Sequence, residues 1–202
     1  MNAKCFFTHI VFLLCLGSLV FTGCLTTDIG FETVVLTLHD NAVVIDGNEM
    51  PFDQVANALQ KKSQCPLITV VFSSERNLPH GILHKVRLDC SSLGITEYAF
   101  LVDGKVVPVR FEEIGEGPLW ILNKYGRNNN FIEIVINPEN YIVQDNTISN
   151  DKDFHSFLTT MDTKDKAIVF ICSMKSKHRQ LLDAIEILSK ETPKYFFVLP
   201  KD

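Results

Sequence analysis

Four groups of residues have the types that chemistry uses. His80 and His84 stand four apart at a predicted helix start. That spacing puts two imidazoles on one helical face, where both could reach one divalent cation. Glu75 or Asp89 would supply a third ligand. No H-E-x-x-H pattern accompanies the pair, so two surface histidines are the simpler reading. Ser73 and Ser74 end a predicted strand beside Glu75. A nucleophilic serine needs a base in reach and an oxyanion site, and no G-x-S-x-G surrounds these two. Glu75 beside Arg76 reads as loop charge or as a partner contact. Gly115-x-Gly117 lacks the strand-then-helix setting of a phosphate loop and reads as linker. Lys175, Lys177, His178 and Arg179 make a small basic patch at a helix N-terminus. A solvated face is the default there, and contact with an anion or the cell wall is the functional alternative. No catalytic residue, metal site or cofactor is assigned, and the expectation is a protein that is not an enzyme.

A further candidate residue lies at the start of the chain. Met1-Asn2-Ala3-Lys4 is short and positive, and Cys5 to Phe21 has no charge apart from a possible one on His9. Small residues follow, which is the order of a secretory signal peptide. The apolar run is shorter than the roughly 20 residues a spanning helix needs. Phe21-Thr22-Gly23-Cys24 resembles a bacterial lipobox, with Phe21 in place of the usual leucine. That resemblance implies lipidation of Cys24 after cleavage of residues 1–23. The alternative is an uncleaved membrane anchor. Either reading puts the remainder outside the cytoplasm, and acyl chains would hold it at about 0.8 kcal/mol per buried methylene.

Composition narrows the classes. Apolar residues make up 46% of 202, enough for a packed core. The net charge is −5, and the signal removes only Lys4 among the fully charged residues. A mild acidic excess without a basic run argues against a nucleic-acid surface. After cleavage Cys65, Cys90 and Cys172 remain beside Cys24, too few for a disulfide framework. A Cys65–Cys90 pair is open to the chain in an oxidising compartment. Core packing is the expected role of Cys90 and Cys172.

The elements that must position these residues follow from periodicity and turn chemistry. Val34 to Leu38 and Ala42 to Ile45 read as strands around His39-Asp40-Asn41. Asp46-Gly47 suits positive φ. Phe52, Val55 and Leu59 recur at helical spacing after Pro51. Leu67 to Phe72 is a continuous apolar run, hence a buried strand. Asn77 is a candidate N-cap with Pro79 in the first turn of a helix whose apolar face is Leu83, Val86, Cys90 and Leu93. Gly94 stops it. Tyr98 to Val102 is a strand, and Asp103-Gly104 turns it into a hairpin that runs to Phe111. Pro108 marks that last strand as edge or bent. Glu112 to Asn130, with its glycines and three consecutive asparagines, is linker chemistry; Trp120 lies within it.

The order then repeats. Phe131 to Ile136 and Tyr141 to Val143 are strands, and Asn150 or Asp151 caps a helix facing inward through Phe154, Phe157, Leu158 and Met161. Ala167 to Ile171 is a buried strand, Leu181, Ala184, Ile185 and Leu188 line a second helix, and Tyr195 to Leu199 is the final strand. The two units overlay near 98 residues apart: Leu36 on Ile134, Val70-Val71-Phe72 on Ile168-Val169-Phe170, Leu83 on Leu181, and Tyr98 on Tyr195 after one deletion. The fold class expected is α+β: two tandem ββαβαβ sandwich domains, each a small mixed sheet with two helices on one face. The expected divisions are signal 1–23, tether 24–33, first domain 34–111, linker 112–130 and diverged second domain 131–202.

The first unit resembles the periplasmic domain of the ExbD/TolR biopolymer-transport family. The matching parts are the strand pair and turn at Leu36 to Gly47, the helix and buried strand, and the loop Ser74-Glu75-Arg76-Asn77-Leu78-Pro79-His80-Gly81. The Gly94-Ile95 helix end and the last strand complete it. The resemblance covers about 65 residues, and Pro-x-Gly is its most specific part. It implies an envelope protein that works beside a proton-driven motor of the ExbB/TolQ kind and passes energy to TonB- or TolA-like partners. It makes Glu75, Arg76, Asn77, Pro79 and His80 candidate partner contacts, and it makes a homodimer an option. The family has its proton-carrying aspartate in a membrane helix, but here no Asp or Glu precedes Asp28. A membrane carboxylate is costly and kept for function. The expectation is therefore a lipid-anchored scaffold or accessory protein of the bacterial envelope, its soluble part in the periplasm. A membrane-anchored, motor-coupled component is the alternative, and a hydrolase or metal-binding protein comes third.

Overall fold

The computed structural model describes residues 32–62, 68–75, 77–112, 131–190, 193 and 195–201. Cys24, Cys65, Arg76, Trp120 and nearly all of the 112–130 linker lie outside them. The first half runs β1 (Glu32–Leu38), β2 (Val43–Ile45), β3 (Asn48–Met50), a 3-10 turn at Phe52–Gln54, α1 (Val55–Lys62), β4 (Ile68–Ser74), α2 (His80–Ser92), β5 (Glu97–Val102) and β6 (Lys105–Phe111). The second runs β7 (Phe131–Ile136), β8 (Tyr141–Val143), β9 (Asn146–Ile148), α3 (Asp151–Thr159), β10 (Ala167–Ser173), α4 (His178–Leu188) and β11 (Tyr195–Lys201). The architecture is mixed α+β, with four α-helices and one large mixed sheet among the described residues.

Turn chemistry sets the strand ends. Asp46 and Gly47 both have positive φ, at 50° and 79°, as a two-residue hairpin turn of the primed kind requires. That turn adds β3, a third strand missing from the sequence reading because Asn48-Glu49-Met50 lacks an apolar alternation. Gln144 and Asp145 make the same turn at φ 48° and 70° and open β9. The Asp103-Gly104 hairpin forms as expected. At the end of α2, Gly94 has φ 79°, with Gly94 N–H on Ser91 O and Ile95 N–H on Cys90 O, a Schellman termination. Asn150 caps α3 through its side chain, which accepts from Asp153 N–H at 2.9 Å.

The strands join into one eleven-stranded sheet, ordered β3-β2-β1-β4-β5-β6-β11-β10-β7-β8-β9. The separate small sheets expected are thus continuous. The closure is parallel pairing of Arg110 with Phe197 and of Phe111 with Val198. β6 is therefore not an edge strand along its whole length. Pro108, which has no N–H to give, pairs only with Ala99 of β5, before the contact with β11 starts.

Register repeats across the junction at a constant offset of 98. Leu36 pairs with Ile45 and with Phe72, and Ile134 pairs with Val143 and with Phe170. Val70 pairs with Tyr98, and Ile168 with Phe196. The counterpart of Tyr98 is therefore Phe196. Tyr195 corresponds to Glu97, and no deletion is needed.

All four helices share one apolar core with the same face of the sheet, built on Leu36, Phe72, Phe100, Ile134, Phe170 and Val198 and on Leu59, Leu83, Phe154 and Leu181. α4 packs on β5 and α2 on β10, so the core runs across the junction. Cys90 and Cys172 are free thiols buried in this layer. Among the described residues no helix is long and apolar enough to cross a membrane.

Facing is tested by two truncations. Phe72 is 1% exposed on the helix side, whereas Val35, at 41%, points to the other. Phe72→Ala is expected to lower the stability by about 3–5 kcal/mol and Val35→Ala by less than about 1 kcal/mol, read from the midpoint of urea unfolding.

Candidate functional site

The Pro-x-Gly loop occupies the junction between the halves. Glu75 sits at the end of β4, tied down by its N–H on Leu38 O at 3.1 Å. Its carboxylate meets His39 Nδ1 at 2.7 Å on an exposed surface. Asn77 is exposed in the turn and does not cap α2; Pro79 takes the N-cap position and gives no side-chain bond. Leu78 is fully buried and anchors the loop.

From Leu78 onward the loop meets its own counterpart 98 residues later. His80 N–H donates to Ser176 O at 2.8 Å, and His178 N–H donates to Leu78 O at 2.7 Å. The two bonds exchange under a local two-fold relation. Pro79 and Lys177 face each other as an antiparallel bridge. Gly81 adds a third bond, from its N–H to Met174 O at 3.0 Å. Glycine at this position reflects space: a Cβ would stand 3.2 Å from that carbonyl oxygen and 3.5 Å from Met174 Cβ.

Below the bridge the imidazoles of His80 and His178 stack, with centroids 5.8 Å apart and planes at 25°. Phe100 of β5 lies 5.1 Å from the His178 ring. His80 is 1% exposed and His178 not at all. Nδ1 of His80 and both ring nitrogens of His178 have no hydrogen-bond partner among the described residues. Buried polar nitrogens left so are costly and uncommon. Burial, then the positive His84 nearby, pushes the His80 pKa from its usual 6.5 down to about 3. Burial, then His80, holds His178 well below 6.5. Both rings are neutral in the folded chain at neutral pH.

This corrects two sequence readings. His178 is not part of a solvated basic face. Of that patch only Lys175 and Lys177 are exposed; Arg179 reaches Asp151 at 3.0 Å. Asp151 also accepts from Tyr141 Oη, which in turn accepts from Gln180 Nε2 at 2.9 Å. Nor are His80 and His84 two surface histidines, because His80 is enclosed against the other half. No group of three metal-ligating side chains occurs among the described residues. Ser74 Oγ is buried without a hydrogen-bond partner among them.

Sequence reasoning missed the pairing of His80 with His178. The signal was present, since the two stand at the repeat offset. It was masked because the second loop has lost proline and glycine.

Compared with known proteins, the chain matches no family model, no curated protein and no solved structure.

Gly81→Val, with a branched Cβ pressed on Met174, should force the α2 start away from the opposite loop and destabilise the fold by about 1–3 kcal/mol. Gly81→Ala should cost less, since alanine's higher helix propensity, about 1 kcal/mol, opposes the strain. Thermal unfolding of the two variants checks the order.

Proposed function

We propose that this chain is an envelope lipoprotein whose tandem ββαβαβ domains, of the ExbD/TolR kind, act as a non-catalytic scaffold or accessory in biopolymer transport or envelope energy transduction. The observation that carries the reading is the use made of the Leu78-Pro79-His80 loop. It binds protein: backbone atoms of one unit lock onto those of the other through bonds that exchange. A chain built so offers a docked pair of units. The repeat offset of 98 in strand register supports the tandem division.

The N-terminal sequence supports the location. A short positive start, an uncharged apolar run and Thr22-Gly23-Cys24 fit lipid attachment at Cys24. Partners would be ExbB/TolQ-like or TonB/TolA-like envelope proteins. With the Pro-x-Gly loop engaged internally, Glu75, Asn77 and Pro79 are the candidate contacts that stay exposed among the described residues.

Metabolic labelling with a palmitate analogue tests the anchor. Label is expected on the wild type and lost in Cys24→Ala, with the unprocessed form accumulating; unchanged labelling and processing would remove the lipoprotein reading. Crosslinking of the native protein tests the role. Recovery of an ExbB/TolQ-like subunit supports a transport system, and its absence across crosslinkers of several lengths counts against one.

A further inference from the structure

We propose that the stacked His80–His178 pair is a proton-operated latch: acidification releases the N-termini of α2 and α4 from each other while the sheet stays joined. The inference goes beyond the scaffold reading and does not depend on lipidation or on any transport partner. It starts from an arrangement with little structural benefit. Two imidazoles are enclosed at the centre of a junction, and three of their four ring nitrogens have no partner among the described residues. An apolar side chain would fill such a site without that cost.

The surroundings favour expulsion of a proton. Elements packed on the pair bring neutral or positive groups. α2 contributes His84, whose charge opposes one on His80. From α4 comes Arg179, already engaged by Asp151, and before it the exposed Lys177. β10 carries no carboxylate, and its Cys172 thiol stays protonated because burial raises its pKa. β5 presents the Phe100 ring, and its one carboxylate, Glu97, is exposed at the first residue of the strand. Asp89 on α2 and Asp183 and Glu186 on α4 lie at least one helical turn beyond the stacked rings, and Asp183 faces His155 at 3.9 Å. The Phe100 ring face could partly offset a charge on His178. No carboxylate is among the groups whose charge acts on either ring. A metal ion would need further donors, and no cluster of three exists among the described residues; a proton needs none.

The junction also has the mechanics of a latch. The rings lie one residue beneath the exposed Pro79 and Lys177. Three backbone bonds, from His80, Gly81 and His178, close the seam. The sheet contact is separate and narrow: two residue pairs, with Glu112 N–H on Val198 O beside them. Losing the seam therefore leaves the halves joined at β6 and β11 and through the shared apolar core.

The sign follows from linkage. In the open state each ring regains a pKa near 6.5, while the closed state keeps both rings neutral to much lower pH. The open state thus binds more protons as pH falls, and the closed state loses ground. The full advantage of closure holds above about pH 6.5. Below it, closure weakens progressively, by up to about tenfold per ring per pH unit for as long as that ring stays neutral in the closed state.

Hydrogen exchange on the full-length chain reads this directly. The amides of His80, Gly81 and His178 report the seam, and that of Glu112, which donates to Val198 O, reports the sheet joint between β6 and β11. Between pH 7.5 and pH 5, corrected for intrinsic rates, seam protection is expected to fall by at least tenfold while sheet protection holds. In the double variant His80→Leu/His178→Leu the seam should become insensitive to pH. If seam and sheet lose protection together, or if the double variant keeps the wild-type fall, the latch is wrong. Nitrogen-15 shifts of the wild-type rings give a second readout that needs no variant. Protonation should coincide with seam exchange, and titration near 6.5 with the seam still protected would overturn the proposal.

Discussion

The structure depends on how two helix N-termini are satisfied. The first turn of any helix leaves N–H groups without intrahelical acceptors, usually met by a Ser, Thr, Asp or Asn cap. α3 follows that rule with Asn150. α2 and α4 do not. Their cap positions are Pro79 and Lys177, neither of which carries an acceptor side chain. The missing acceptors are carbonyls of the opposite loop: Ser176 and Met174 for α2, Leu78 for α4. Gln180 supplies only a reverse bond, accepting from Lys177 N–H at 3.0 Å. Each helix therefore starts where the other half lends it a carbonyl. The helix starts and the junction of the halves thus share the same hydrogen bonds.

That coupling explains the asymmetry around the junction. The repeat relation places β5 and β11 as counterparts, yet β6 lies between them. β6 is antiparallel to β5 and parallel to β11, so the two halves run in opposite directions through one sheet. Such a sheet can accept the inversion because the face below is shared. Phe111 from β6 stands edge-on to Phe72, Tyr98 and Phe100, at 5.3–6.1 Å. Arg87 of α2 lies 5.7 Å above the same ring. Apolar contact and aromatic geometry at Phe111 thus bind the inserted strand to the first half, while only its last two residues engage the second.

Much of this architecture is legible in the sequence, for reasons that differ by element. Long apolar runs such as Ile68 to Phe72 and Ala167 to Ile171 signal strands buried on both faces: helices cover one face, and on the other Ala167, Val169, Phe197 and Leu199 form a second cluster. Asp103-Gly104 declares a hairpin by its backbone preference alone. β9 is hard to read, since Gln144-Asp145 makes a primed turn without glycine. The joining of two sheets into one is not written in any local pattern: it rests on two residue pairs, Arg110 with Phe197 and Phe111 with Val198. Of the candidate site, the loop was legible and its occupant was not. Charge and loop composition made Lys175 to Arg179 look like a solvated patch. A tertiary contact buries its central histidine, and a neighbouring carboxylate takes its arginine.

The histidines at the seam are best understood against what a purely structural solution would use. Elsewhere in this core the large buried polar side chains Tyr98 and Tyr141 find partners: Tyr98 Oη donates to Ile95 O at 2.7 Å, and Tyr141 Oη engages Asp151 and Gln180; the small hydroxyls of Ser74 and Thr163 have none among the described residues. At the seam the chain instead places two titratable rings face to face, in corresponding positions of both halves, without that satisfaction. A single buried histidine could be a packing accident. Two at one offset, stacked on each other and lying beside the bonds that start two helices, tie the protonation state of a side chain to the existence of the helix behind it. The same closeness that lets Pro79 and Lys177 bridge forbids a charge on either ring. What joins the halves is therefore a contact whose strength the solvent can set.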